Sequence, residues 1–209
     1  MSKLRPRRSV LYMPAANERA LEKAKTIASD ALIFDLEDAV SPESKDAARE
    51  NAVKAASSGE YGKREITIRC NGLDTPWGAA DIAAAAKSCA SSIVIPKVGD
   101  AAAVDAVSKH LDAAGAPAEM LIWAMVETPS AIFNARSIAA HPRVAVLVMG
   151  TNDLVKELHA AQVPGRAPVI SHLATALLAA RAALNASMTR RACSTSDSPG
   201  AHTSLAIAT

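Results

Sequence analysis

Two carboxylates in this chain follow apolar runs. Glu127 comes directly after Leu121 to Val126, and Asp153 comes shortly after Val144 to Met149. Paired oxygen donors of this kind suit a hard divalent cation. Mg2+ typically takes only one or two protein carboxylates and keeps its other positions for water and substrate oxygens. Arg69 follows a segment in which Ile66 and Ile68 alternate with polar residues, and it offers a planar fork suited to a carboxylate or a developing enolate oxygen. A site with these groups would hold a 2-keto acid through the metal. It would polarise the keto or hydroxyl oxygen while a carbon–carbon bond breaks or forms.

The elements that must carry these residues can be read from periodicity. Strands are predicted over Ser9 to Met13, Ala31 to Phe34, Glu65 to Cys70, Ser92 to Ile95, Leu121 to Val126 and Val144 to Met149. Helical patterns separate them. Asn17, Ser41-Pro42, Thr75-Pro76, Asp100 and Thr128-Pro129 read as helix starts, and a short helix opens near Thr151. Six β-α units in a row specify a parallel sheet with helices outside. The junction Tyr12-Met13-Pro14-Ala15-Ala16-Asn17 has no G-x-G-x-x-G, and the chain has no P-loop, which weakens an open nucleotide-binding sheet. A (β/α)8 barrel gains weight from its polar ends. Asp35-Leu36-Glu37-Asp38, Arg69-Cys70-Asn71, Pro96-Lys97, Glu127 and Gly150-Thr151-Asn152-Asp153 each follow a strand, where parallel barrels place their chemistry. One such charge alone is an ordinary solvated loop residue. A charge after every strand from the second to the sixth is harder to explain that way.

Composition narrows the classes. The chain has 209 residues, half of them apolar and 21% charged, enough for a substantial core. Aromatics make up 3% and the formal net charge is +2, so neither a base-stacking surface nor an electrostatic footprint for nucleic acid is expected. The purely aliphatic runs fall far short of the roughly 20 residues a membrane span needs, and no membrane partner is expected. Val10 to Met13, after a basic start, is too short for a signal-peptide core. The three cysteines share no metal-ligand spacing, and a reduced, cytoplasmic protein is expected. Cys70 reads as packed, and His110, His141 and His172 have no partner pattern that suggests zinc or general-base work.

These residues resemble the citrate lyase beta-subunit-like family, within the aldolase/citrate lyase superfamily of Mg2+-dependent barrels. The resemblance rests on Arg8-Ser9-Val10-Leu11-Tyr12-Met13-Pro14, Asp35 to Val40, Lys45 with Ala48-Arg49, Arg69-Cys70-Asn71, Pro96-Lys97, Glu127-Thr128 and Gly150 to Leu154. It spans about residues 7 to 184. It implies Mg2+ ligation by Glu127 and Asp153, and substrate contact by Arg69 and Glu127. Glu37 and Asp38 are placed with Arg69 in the catalytic set, close to the metal but outside its ligands. Arg8 and Lys97 are assigned to substrate binding at CoA phosphates. The implied reaction cleaves or forms a 3-hydroxyacyl-CoA such as citryl-CoA, malyl-CoA or citramalyl-CoA, giving an acyl-CoA and a 2-keto acid. A homo-oligomer, trimer or hexamer, is expected.

The resemblance stops at the helix containing Ala179 to Ala182. Relatives continue into a seventh strand with an Asp-Gly pair and an eighth unit, and neither is recognisable here. The expected architecture is therefore a TIM-type barrel truncated after about six units, with residues 1–184 as the domain and 185–209 as a poorly ordered tail. The Ser/Thr/Arg-rich tail reads either as a frame change or as an authentic divergent terminus. Two further functional readings stay open. One is a CoA-independent 2-keto-acid aldolase. The other is a catalytically silent chain that binds Mg2+ or a partner subunit.

Overall fold

The computed structural model describes residues 7–193 and 204–208, with side chains for residues 7–184. The chain forms two compact units, Arg5–Pro96 with Ala106–Leu121, and Lys97–Asp105 with Ile122–Thr209.

The N-terminal unit holds β1 (Val10–Pro14), α1 (Glu18–Ala24), β2 (Ala31–Asp35), α2 (Lys45–Ser57), β3 (Glu65–Arg69), α3 (Gly78–Ala86) and β4 (Ser92–Ile95). Its strands pair in parallel, each with the next in sequence. Every residue of β2 and β4 is buried, as parallel strands covered on both faces must be. Leu32, Ile33, Phe34, Ile68 and Ile93 fill the core, and each contributes about 1.5–3 kcal/mol by leaving water. The register sets Asp35 opposite Arg69. It thereby delivers two charged side chains to adjacent positions at the C-terminal ends of their strands.

The C-terminal unit holds β5 (Leu121–Val126), α5 (Pro129–Ala140), β6 (Val144–Gly150), α6 (Thr151–Glu157), α7 (Ile170–Cys193) and β7 (Ser204–Ala208). The division between units falls inside α4 (Ala101–Ala113). β5, β6 and β7 again pair in parallel and in order, and all seven residues of β6 are buried. The fold class is α/β of the TIM-barrel type, with six successive β/α units.

Sequence signals located the first six strands to within a residue and erred more at helix starts. Asn17 Oδ1 accepts from the Ala20 N–H, Asp100 Oδ1 from Ala103, and Thr128 Oγ1 from Ala131, so these three cap as expected. Ser41 does not cap. A 3-10 turn over Pro42–Ser44 intervenes, and α2 begins at Lys45. Thr75 does not cap either, because its hydroxyl donates to the Gly72 carbonyl. α3 instead starts at Gly78, whose Cα lies so close to residue 72 that an added Cβ would sit 2.6 Å from the Gly72 carbonyl carbon.

One reading of the C-terminal region is corrected. No core strand was expected after Leu184, yet Ser204–Ala208 pairs along β6 from Val146 to Gly150. Five residues are too few to show a period, and Leu205 and Ile207 are the sole large apolar residues among them. Residues 194–203 lie outside the described residues. In addition, Pro164–Leu184 is long and apolar enough, by length and composition, to cross a membrane, with a mean hydropathy of 1.4. Counting unbroken aliphatic runs passed over it. Its start is not one continuous helix, since Gly165 and Arg166 have φ of 80° and 57°. From Ile170 on, α7 packs along α5 with Ala176, Ala179 and Ala180 buried.

Candidate active site

In the N-terminal unit the polar centre is Arg69. It is 7% exposed, and its guanidinium lies bidentate on Asp35, with Nε 2.6 Å from Oδ1 and Nη2 2.6 Å from Oδ2. Nη1 lies 2.7 Å from Glu37 Oε2 and 3.2 Å from Asp38 Oδ2. The Tyr12 ring faces the guanidinium carbon at 5.1 Å. Burial works against the charge, but the hydrogen bonds to Asp35 and the charges of Asp35 and Glu37 outweigh it, and the Arg69 pKa is raised. Asp35 also accepts from the backbone N–H groups of Glu37 and Ala39, which turns the chain back over the strand end. Ion pairing to Asp35, Glu37 and Asp38 was the alternative to a substrate-binding role for Arg69. The pairs exist, and they divide the guanidinium into a fixed edge on Asp35 and an edge shared by two less buried carboxylates.

A second layer of buried charge lies beneath these loops. Lys45 Nζ donates to the carbonyls of Leu36 and Glu37 and to Asn71 Oδ1, each at 2.8 Å. Asp81 is fully buried and accepts from Asn71 N, Asn71 Nδ2 and Arg49 Nε. Sequence reasoning missed Asp81. The available signal was a lone carboxylate in the otherwise apolar run Gly78 to Ala86.

In the C-terminal unit the corresponding group is Glu127, 2% exposed and directly after β5. Its Oε1 accepts a 2.7 Å hydrogen bond from the Lys97 backbone N–H. Lys97 adopts a left-handed backbone with φ of 49°, uncommon for a residue with a side chain. Gly150, at the end of the neighbouring β6, approaches Glu127 so closely that an added Cβ would overlap Oε2 and stand 2.7 Å from the glutamate Cβ. Gly150 is the second residue that sequence reasoning did not single out by role. A glycine directly after a buried strand was its signal. Asp153 sits half-buried in the first turn of α6, three residues beyond Gly150.

Glu127 and Asp153 thus follow paired strands, with Val126 opposite Met149 in the register. Their donor set is one anchored carboxylate and one in a helix first turn, with hard oxygens throughout. That matches Mg2+, which needs few protein ligands. Among the described residues no cluster of three or more His, Cys, Asp or Glu side chains forms a protein-only metal cage.

The other candidates are placed elsewhere. Arg8 is not brought to the strand ends that carry Asp35 and Arg69. It precedes β1, and its guanidinium pairs with Asp30, which precedes β2. The Lys97 side chain is exposed, while its backbone serves Glu127. Cys70 is fully buried, and burial pushes its thiol pKa well up, which suits a packed residue. His141 bridges Asp105 and the Arg143 N–H, and the His110 ring bonds the Ala106 carbonyl.

Parallel strands that carry polar groups at their C-terminal ends define an α/β protein of the barrel type. Residues 8–192 match the HpcH/HpaI aldolase/citrate lyase family, and the chain belongs to that family. It is 49% identical over 177 residues to a (3S)-malyl-CoA thioesterase of Cereibacter sphaeroides, covering 85% of this chain and 60% of that protein. It is 33% identical over 187 residues to citrate lyase subunit beta of Escherichia coli, covering 87% of this chain and 62% of that one. A solved citrate lyase beta subunit from M. tuberculosis, complexed with oxaloacetate and magnesium, matches with a TM-score of 0.69 at 25% identity. That match covers 95% of this chain and 90% of the other. The chain spans about three fifths of the length of the curated relatives it matches.

Proposed function

We propose that this chain acts on a 3-hydroxyacyl-CoA of the malyl-CoA, citryl-CoA or citramalyl-CoA type, as a Mg2+-dependent carbon–carbon lyase. The observation that carries the reading is the Glu127 cradle. One carboxylate oxygen is tied to the Lys97 N–H, and Gly150 leaves room beside the other. Asp153 completes the donor pair. Mg2+ held there by Glu127 and Asp153 would supply Lewis acidity to the oxygens of a substrate.

The chain's own groups have distinct tasks. Glu127 and Asp153 hold the cation. Asp35 holds two nitrogens of Arg69, so the third is the exchangeable one. An incoming carboxylate or enolate oxygen would compete there with Glu37 and with the more exposed Asp38. In the cleavage direction the hydroxyl proton leaves to a base and the carbon–oxygen bond becomes a carbonyl. The bond between the carbinol carbon and the carbon α to the thioester breaks, and its electron pair passes into the thioester as an enolate. Protonation of that enolate gives the acyl-CoA.

A second reading, favoured by the 49% likeness to a malyl-CoA thioesterase, is attack of water on the thioester, releasing the hydroxy acid and free CoA. One experiment separates the two. Malyl-CoA is incubated with the protein and Mg2+, and the products are resolved. Glyoxylate with acetyl-CoA supports the lyase. Malate with a free thiol supports hydrolysis. Malyl-CoA, citryl-CoA and citramalyl-CoA all left unchanged, with Mg2+ still raising the melting temperature, overturn both and leave the silent Mg2+-binding reading.

A further inference from the structure

Lys45 and Asp81 are buried charges outside the set of groups assigned to metal or substrate. Lys45 is 6% exposed, and three hydrogen bonds use all three ammonium protons. Two of those bonds go to consecutive carbonyls, Leu36 and Glu37, in the loop that carries Glu37 and Asp38. The third goes to Asn71, two residues beyond Arg69. The Asn71 amide is fully committed as well. Its oxygen accepts from Lys45, and its nitrogen donates to the Leu36 carbonyl and to Asp81. Asp81 also takes the Asn71 backbone N–H, and its other oxygen accepts from Arg49. The loop after β2 and the loop after β3 are therefore tied to one another by charge-assisted bonds in a water-poor setting, where such bonds are strong and costly to leave unmade.

We propose that Lys45, Asn71 and Asp81 are positioning residues: they clamp the Leu36–Glu37 backbone so that Glu37 and Asp38 meet the Nη1 edge of Arg69. A backbone fixed at two successive carbonyls fixes the direction in which the next side chains leave it. Asp35 makes its own bonds to Arg69 without the clamp. Loss of the clamp therefore frees one edge of the guanidinium and leaves the other in place. Its consequence for substrate rests on the function proposed above, whereas the clamp itself is read without any substrate.

The test is amide and side-chain exchange by NMR on the whole chain, comparing wild type with Lys45→Met and Lys45→Arg. In K45M the Glu37 and Ala39 amides should exchange about tenfold faster or more, as the loss of a charged hydrogen bond implies, while β6 amides keep their protection. The Arg69 Nε–H resonance should persist, because Asp35 holds it. K45R, which keeps charge and donors, should recover part of the loop protection. Loop amides in K45M as protected as in wild type would overturn the proposal, as would loss of protection at all amides by one common factor. Should K45M fail to fold, wild type still decides. A slowly exchanging Lys45 ammonium signal supports the clamp, and rapid exchange of that ammonium with water removes it. Pyruvate affinity in the presence of Mg2+ is then compared. Binding by wild type that weakens in K45M, with the Mg2+ melting shift intact, links the clamp to substrate. No pyruvate binding by wild type counts against the function reading, and the exchange data judge the clamp separately.

Discussion

Arg69 and Asp35 sit opposite each other in the β2–β3 register and form a two-bond ion pair, both contacts at 2.6 Å, with each side chain less than a tenth exposed. The pair is local in space and 34 residues apart in sequence. Parallel pairing of two short strands is all that brings it together.

Removing one partner leaves the other charged and buried. Asp35→Ala strands the Arg69 guanidinium and also removes the acceptor for the Glu37 and Ala39 amides. The expected loss in unfolding free energy is about 3–5 kcal/mol, the range for a broken buried pair. Urea denaturation measures it. A loss below about 1 kcal/mol would put the pair in the class of surface salt bridges.

Gly150→Ala places a methyl group against the Glu127 carboxylate. The side chain must rotate away or β6 must shift, at a cost of about 1–3 kcal/mol for overpacking. The rise in melting temperature with millimolar Mg2+ should disappear in the variant if Glu127 is a ligand. An unchanged Mg2+ response in G150A would separate Glu127 from the metal.

Much of this organisation was legible in the chain because the period changes are sharp. Ala31 to Phe34 and Val144 to Met149 are unbroken apolar runs, closed by Asp35 and Gly150, which is how a strand buried on both faces reads. Asn17 and Thr128 were legible because a cap is a contact over three residues. Arg8 was only half legible: the predicted strand from Ser9 already put it at the N-terminal end of β1, but its pairing with Asp30, 22 residues on, leaves no mark in the neighbouring sequence. The roles of Asp81 and Lys45 were not legible, since they rest on contacts between α2, α3 and the segment after β3 that are 26 or more residues apart in sequence. β7 was hidden for a third reason, as its register depends on β6 and not on a pattern of its own.

The Arg8–Asp30 pair predicts an acid response. Hydrogen bonds from the Arg8 side chain and backbone lower the Asp30 pKa to about 2. A carboxylate depressed in the folded state stabilises fully above its unfolded value, near about 4, and that stabilisation is lost as pH falls through its folded value. Asp30→Asn should therefore flatten the fall in stability between about pH 4 and pH 2, with the variants converging at the acid end. Denaturant melts across that range test it. Identical slopes for wild type and D30N would show that the pair does not persist in solution.

Lys97 separates backbone from side chain. Its left-handed φ of 49° costs a residue with a Cβ about 1–2 kcal/mol, and glycine avoids that cost. The N–H that reaches Glu127 is present in any residue but proline. Lys97→Gly should thus hold or raise stability, against the usual entropic penalty of glycine, and should leave the Mg2+ melting shift intact. If the exposed ammonium also meets CoA phosphates, the affinity for CoA falls several-fold in the same variant and becomes less sensitive to salt. Proline at this position should instead weaken the Mg2+ response, because Glu127 loses its anchor. Calorimetric titration of CoA and thermal melts with Mg2+, run on both variants, read the two roles apart. Equal CoA affinity in wild type and K97G would assign Lys97 to the backbone task alone.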